Sequence, residues 1–201
     1  MNIIIKALTP DLAPDYLDFF DHSAFSDHQE WAGCYCTHFH MDNVLEQKIR
    51  ENVNTSGGTI DDALRELSTN LINKNILCGY LAYLNGIVVG WCNSNRKTAY
   101  SRFDFNTDDS EFIRNFSNNL IKSVTCFTIA PEFRGVGIAT ALLKRVCEDA
   151  KADAYDVVEA YPRLRDRWDP FDHNGPIRLY EKSGFKRAVQ QGNIVIMRKV
   201  L

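Results

Sequence analysis

No apolar run in this 201-residue chain reaches the roughly 18 residues a membrane-spanning helix needs. That excludes a helical membrane protein. Basic charge is also scarce: 23 Lys and Arg face 26 Asp and Glu, giving a formal net charge of −3. No dense basic stripe is present, which argues against nucleic acid as a partner, because neutralising phosphates needs clustered Lys and Arg. The opening Met-Asn-Ile-Ile-Ile-Lys lacks the basic start and small-residue cleavage site of a signal peptide. The six cysteines show no second pair at zinc-finger spacing, and four of them (Cys78, Cys92, Cys126 and Cys147) sit in apolar patterns where free Cys acts as a small hydrophobe. A reduced, cytoplasmic protein without a membrane contact is expected. No internal repeat is visible.

What is present is ordinary globular material. Apolar residues make up 45% and charged residues 24%, enough for one domain over residues 1–201 and not comfortably two. Residues 2–8 read as a strand, and Pro10 and Asp11 open an amphipathic helix to about residue 21. Residues 22–58 are rich in His, Cys and aromatics and end in Ser56-Gly57-Gly58. Thr59 caps a helix with Asp61 and Asp62 in its first turn. Residues 76–84 and 87–92 are β-rich runs separated by Asn85-Gly86, a hairpin signal. Residues 93–120 are polar and without period, and read as an insertion with a short helix near 111–116. Beyond it come a strand at 124–129, a helix at 137–150, a strand at 157–161, and a final hairpin at about 185–200. Strands interleaved with helices give an α/β fold with a mixed sheet.

The densest chemical signal lies between the strand at 124–129 and the helix that follows. There Arg134, Gly135 and Gly137 stand in a strand–turn–helix context. Glycine lets a ligand approach the backbone, and the first-turn N–H groups of a helix lack intrahelical acceptors and attract anions. A dinucleotide fingerprint would need glycine where Thr140 stands, and the P-loop Lys is absent. What remains is Arg-x-x-Gly-x-Ala, read as Arg134, Gly137 and Ala139. Downstream, Leu179-Tyr180-Glu181-Lys182-Ser183-Gly184-Phe185 closes a short helix that begins near Pro176.

Both segments resemble motifs of the GNAT superfamily of acyl-CoA-dependent N-acetyltransferases. The likeness is clear over 124–201 and extends over the N-terminal half only in element order. It implies a single GNAT-like domain, with a mixed, mostly antiparallel central sheet flanked by helices and splayed between the strands at about 124–129 and 157–161. It implies that Phe127, Thr128 and Ile129 hold the pantetheine arm of acetyl-CoA, and that Arg134, Gly135, Val136, Gly137, Ile138, Ala139 and Thr140 hold its pyrophosphate. It also implies that Tyr180 protonates the departing CoA thiolate. The implied activity is transfer of an acetyl group from acetyl-CoA to a primary amine, by direct attack in a ternary complex. A non-catalytic acyl-CoA-binding sensor or scaffold of the same fold is the alternative.

The base is less marked. The family places one on the strand before the loop, but Ser123, Thr125 and Phe127 stand there and none is a base. Glu159 and Tyr161 share a face of the next strand by alternation, so Glu159 is a candidate to take the amine's proton or to hold a cation, with Tyr161 beside the acceptor. Aligning back from Tyr180, His173 or Asn174 falls where the family often has a pantetheine-contacting Asn. Cys34, Cys36, His38 and His40 alternate, but adjacent strand residues enclose a tetrahedral metal poorly, and no metal is expected. With Trp31, Tyr35 and Phe39 this run reads as a lid or acceptor wall suited to an apolar or cationic amine. The acceptor itself is open: a polyamine, an aminoglycoside-like drug, an amino acid or a peptide N-terminus. A homodimer is compatible with the pattern.

Overall fold

The computed structural model describes residues 2–102, 120–165 and 172–201. The short helix expected near 111–116 lies outside the described residues.

Among the described residues seven strands form one sheet: β1 (Ile3–Ala7), β2 (Gly79–Leu84), β3 (Ile87–Arg96), β4 (Ile121–Ile129), β5 (Val157–Ala160), β6 (Lys186–Gln191) and β7 (Ile194–Val200). Their spatial order is β1-β2-β3-β4-β5-β7-β6, and only β4 and β5 run parallel. The Asn85-Gly86 turn has both residues in the left-handed region, φ 51° and 86°, as the two-residue hairpin requires.

Alternation along the strands divides the apolar residues between two faces. Tyr80, Ala82 and Leu84 turn toward α4 (Ile138–Ala152), whose buried stripe is Ile138, Leu142, Leu143, Val146, Cys147 and Ala150. Leu81, Tyr83 and Trp91 turn toward α1 (Ala13–Asp18) and α3 (Ile60–Asn73), packing on Tyr16, Phe19, Phe20, Leu71 and Ile72. Each helix obeys its sequence signals. Thr59 accepts from the Asp62 N–H at 3.1 Å to cap α3. The short α5 (Ile177–Lys182) follows Pro176 and ends before Gly184 at φ 84°.

One expectation needs correction and one segment gains an element. Residues 93–96 are strand, not insertion, and the strand expected at 124–129 begins earlier, at Ile121: Asn93, Ser94, Asn95 and Arg96 pair with β4. Asn93 and Ser94 look like loop residues by propensity, yet both are buried and the ladder absorbs their backbone groups. Residues 43–56, in the segment 22–58 to which the sequence assigned no element, form a fourteen-residue helix, α2 (Asn43–Ser56), capped by Asp42 through the Leu45 N–H and closed by Gly57 in the left-handed region. No side chain of α2 is buried, so its apolar stripe is too thin to stand out against its polar residues.

Gly79 tests how tightly the two faces meet. A Cβ there would lie 2.1 Å from the Cys92 carbonyl oxygen and 2.5 Å from the Trp91 ring. Gly79→Ala is expected to cost about 1–3 kcal/mol, as overpacking does. The check is a lower urea midpoint at unchanged m-value.

Candidate active site

Strand β4 ends at Ile129 and the chain turns once through Pro131–Phe133 before α4 begins. Gly135 (φ 79°) and Gly137 (φ 94°) make the turn, and nothing lies within 4 Å of where a Cβ would stand on either. Gly137 occupies the N-cap position of α4 and no side chain caps the helix. Its first-turn N–H groups therefore face an open concavity, which is the arrangement an anion needs. The Arg134 side chain has another task. Its Nε donates to the Ile129 carbonyl at 3.2 Å and its Nη1 meets Asp27 Oδ2 at 2.5 Å. Arg134 thus fastens the corner of the loop, and the guanidinium holds the Asp27 carboxyl below its ordinary range.

The second element is a parting of the sheet. Strands β4 and β5 pair over only four positions, from Ile121 with Val157 to Val124 with Ala160. Beyond Val124, β4 continues to Ile129 with β3 on one side only. The loop 172–176 fills part of the opening. Phe127 N–H donates to the His173 carbonyl at 2.6 Å, and Asn174 Nδ2 donates to the Thr125 carbonyl at 3.1 Å. The strand edge expected to receive a pantetheine arm is therefore engaged at Phe127 by the protein's own backbone. Burial lowers His173 to a pKa of about 4, so its imidazole is neutral at physiological pH.

Loop and parting open into one cavity of about 820 Å³. Of the residues expected at the cofactor, Phe127, Thr128, Ile129, Arg134, Gly135, Gly137, Ile138, Ala139 and Thr140 line it, and Val136 does not. The opposite wall carries Phe25, Glu30, Trp31, Phe39, Asp61 and Leu64. Trp31 takes its expected place there. Tyr35 does not: it is buried, with its hydroxyl donating to Asp21 at 2.6 Å. Nor are Cys34 to His40 an extended strand. Tyr35 and Cys36 have positive φ, 38° and 48°, and 38–40 is a single helical turn, so alternation does not apply. Among the described residues no cluster of three or more His, Cys, Asp or Glu side chains could hold a metal ion.

Tyr180 is buried one layer behind the cavity wall, and its hydroxyl donates to the Asn174 carbonyl. Burial pushes the phenol well above its usual range, which keeps the proton on it. The neighbouring Gly175 and Leu179 line the cavity, and the hydroxyl is 3.6 Å from where a Gly175 Cβ would be.

Glu159 is a correction. It has no exposed surface; Oε1 meets Lys97 Nζ at 2.8 Å and Oε2 meets Arg198 Nε at 2.7 Å. Tyr161 donates to Oε1 at 2.6 Å and lies 2.8 Å from Ser123 Oγ. Neither Glu159 nor Tyr161 lines the cavity. Burial would raise the carboxyl's pKa, but Lys97, Tyr161 and Arg198 outweigh it and hold it below the ordinary range. Alternation put both side chains on one face correctly. It could not show that Lys97, from a segment that reads as insertion, and Arg198, from the last strand, would meet them there. Asn93, Asp61 and Phe133 were likewise missed as residues at or behind the cavity.

Residues 76–187, more than half of the chain, match the profile of the acetyltransferase (GNAT) domain. A parted mixed sheet with a glycine-rich helix start on its central strand is an acetyltransferase architecture, and solved structures share it end to end. One is PaiA N-acetyltransferase from Thermoplasma acidophilum in complex with coenzyme A, 16% identical, TM-score 0.53, with all of both chains covered. Another is an aminoglycoside acetyltransferase in complex with coenzyme A, 16% identical, TM-score 0.57, covering 99% of this chain and 95% of that one. A third is ribosomal-protein-alanine N-acetyltransferase from Brucella melitensis, 17% identical, TM-score 0.51, covering 98% and 99%. No curated protein matches the sequence. The chain belongs to the GNAT acetyltransferase family.

The Glu159 cluster carries a pH dependence. Its carboxyl is depressed in the folded state, so the cluster's stabilisation is complete above the unfolded carboxylate range and is lost as pH falls through the folded value. Glu159→Gln removes the buried charge that Lys97 and Arg198 meet and should cost about 3–5 kcal/mol near neutrality. Denaturant titrations of both proteins should show this gap narrowing as pH drops below the carboxylate range. A gap that stays constant with pH would show that the carboxylate is not the source.

Proposed function

We propose that the protein transfers an acetyl group from acetyl-CoA to a primary amine, by direct attack with both substrates bound. The observation that carries this reading is that the uncapped, two-glycine start of α4 and the one-sided edge of β4 open into the same cavity. The first gives a diphosphate its N–H donors. The second gives an amide-bearing arm a strand to pair with. Gly135 and residues Gly137 to Thr140 hold the pyrophosphate, and Arg134 keeps their corner in shape. The arm runs along Ile129, Thr128 and Phe127, where the His173 carbonyl must yield the Phe127 N–H as the arm pairs.

Tyr180 supplies the proton to the departing thiolate. Its hydroxyl donates to a backbone carbonyl in the structure, so the proton must turn from Asn174 toward the sulfur. Glu159 does not take the amine's proton. It positions β5 and Tyr161, and the amine surrenders its proton to water in the open cavity. Glu30 and Asp61 with Trp31, Phe25 and Phe39 give the acceptor side anionic and aromatic surfaces, which suit a cationic amine.

Two variants separate binding from chemistry. Gly137→Glu puts a like charge and a side chain at φ 94°, where the diphosphate would lie. Acetyl-CoA affinity measured by calorimetry should fall at least about tenfold, 1.4 kcal/mol or more. Unchanged affinity in the folded variant removes the site from the loop. Tyr180→Phe should lower kcat by about 10²–10⁴-fold with acetyl-CoA affinity kept. The assay is CoA release across a panel of polyamines, aminoglycosides, amino acids and peptides. Tight acetyl-CoA binding with no release for any amine would instead identify a non-catalytic binding module.

A further inference from the structure

One cluster in the cavity is left without a part in this chemistry. Cys34, Cys36 and Cys126 all line it, and Cys126 adjoins Phe127 on β4. From Ala130, where β4 gives way to the loop, Cys126 is four residues back along the strand, about 13 Å. An arm paired on β4 from the loop would bring its far end to that level.

Cys36 is built more elaborately than a packing residue needs. It and Tyr35 are consecutive non-glycine residues in the left-handed region, at φ 48° and 38°. Such conformations persist only where surroundings enforce them. Here Tyr16 donates to the Tyr35 carbonyl at 2.7 Å, and the Tyr35 hydroxyl is held by Asp21, itself paired with Arg65 at 2.9 Å. Asn93 Nδ2 donates to Cys36 Sγ at 3.2 Å, and Asn93 is oriented by the Tyr100 hydroxyl at 3.0 Å from its Oδ1. The Asn93 N–H on the sulfur favours the thiolate, and the neighbouring Cys126 together with this donor holds Cys36 below the usual thiol range although the residue is buried.

We propose that Cys36 is a covalent acyl acceptor, whose sulfur attacks the thioester of an acyl-CoA in this cavity and becomes S-acylated. The proposal rests on the acyl-CoA reading above. The Cys36 sulfur forms a bond to the acyl carbon and the bond from that carbon to the CoA sulfur breaks. The electron pair leaves with CoA, whose thiolate takes a proton from solvent, replacing the one Cys36 gave up on ionising. No oxidant or reductant enters. One thioester replaces another, so the exchange is reversible, and Cys36 competes with the amine for the same acyl group. Asn93 acts as a positioning residue for the attacking sulfur.

The test is incubation of the protein with acetyl-CoA without any amine, followed by intact-mass measurement and peptide mapping. One acetyl group on the Cys36 peptide, removed by neutral hydroxylamine, is expected. Cys36→Ser should abolish it, Cys34→Ser should leave it, and Asn93→Ala should slow its formation about tenfold or more, one donor's worth. Alkylation of Cys36 by iodoacetamide should persist to lower pH than alkylation of Cys34, and Asn93→Ala should shift that profile upward. Calorimetry on the same samples separates the two claims. Acetyl-CoA that binds without acylating the protein, or an adduct on another residue, overturns the covalent step alone. Absence of acetyl-CoA binding overturns both it and the donor reading.

Discussion

Four residue pairs join β4 to β5, and the sheet parts immediately beyond them. That limit is the constraint on which the rest depends. Where the ladder holds, Glu159 on β5 is gripped by Lys97, just beyond β3, and by Arg198 on β7. Charges taken out of water are tolerable only in such company, so the closed half of the parallel pair is rigidly specified. Where the ladder stops, the backbone groups of β4 on that side must find other partners or face the cavity. Rigid closure and opening thus sit end to end along one strand, and the glycine-rich turn stands at the open end.

The loop 172–176 manages the exposed edge. It lends the His173 carbonyl to Phe127, the Asn174 amide to Thr125, and the Asn174 carbonyl to Tyr180. Three hydrogen bonds to one short loop tie the strand edge to the side chain proposed as acid. Anything that pairs with β4 at Phe127 disturbs the same loop that holds the Tyr180 proton. Access to the strand and release of that proton are therefore coupled through a few backbone groups.

On the opposite wall the chain uses strain rather than regular structure. Two left-handed residues turn the Cys36 sulfur toward Asn93, and tyrosine hydroxyls anchor the turn from behind. The aromatics of this segment divide accordingly. Tyr35 and Phe39 are buried, while Trp31 is 40% exposed at the rim.

The sequence alone determined what depends on neighbours along the chain. The Asn85-Gly86 hairpin, the Thr59 cap, the stripe of α4, the two-glycine turn after β4 and the closing helix around Tyr180 are all local, because turn dihedrals, orphan N–H groups and a 3.6-residue period are local matters. Alternation even placed Glu159 and Tyr161 on one face. Tertiary structure decided who meets whom. Lys97 and Arg198 reach Glu159 from 62 and 39 residues away and turn a candidate base into a buried ion pair. Asp27 draws Arg134 aside from 107 residues away, and Asn93, polar by composition, becomes the buried partner of a thiol 57 residues earlier. Periodicity assigns a side chain to a face; which charge waits on that face depends on strand order and register, set only when the whole sheet packs.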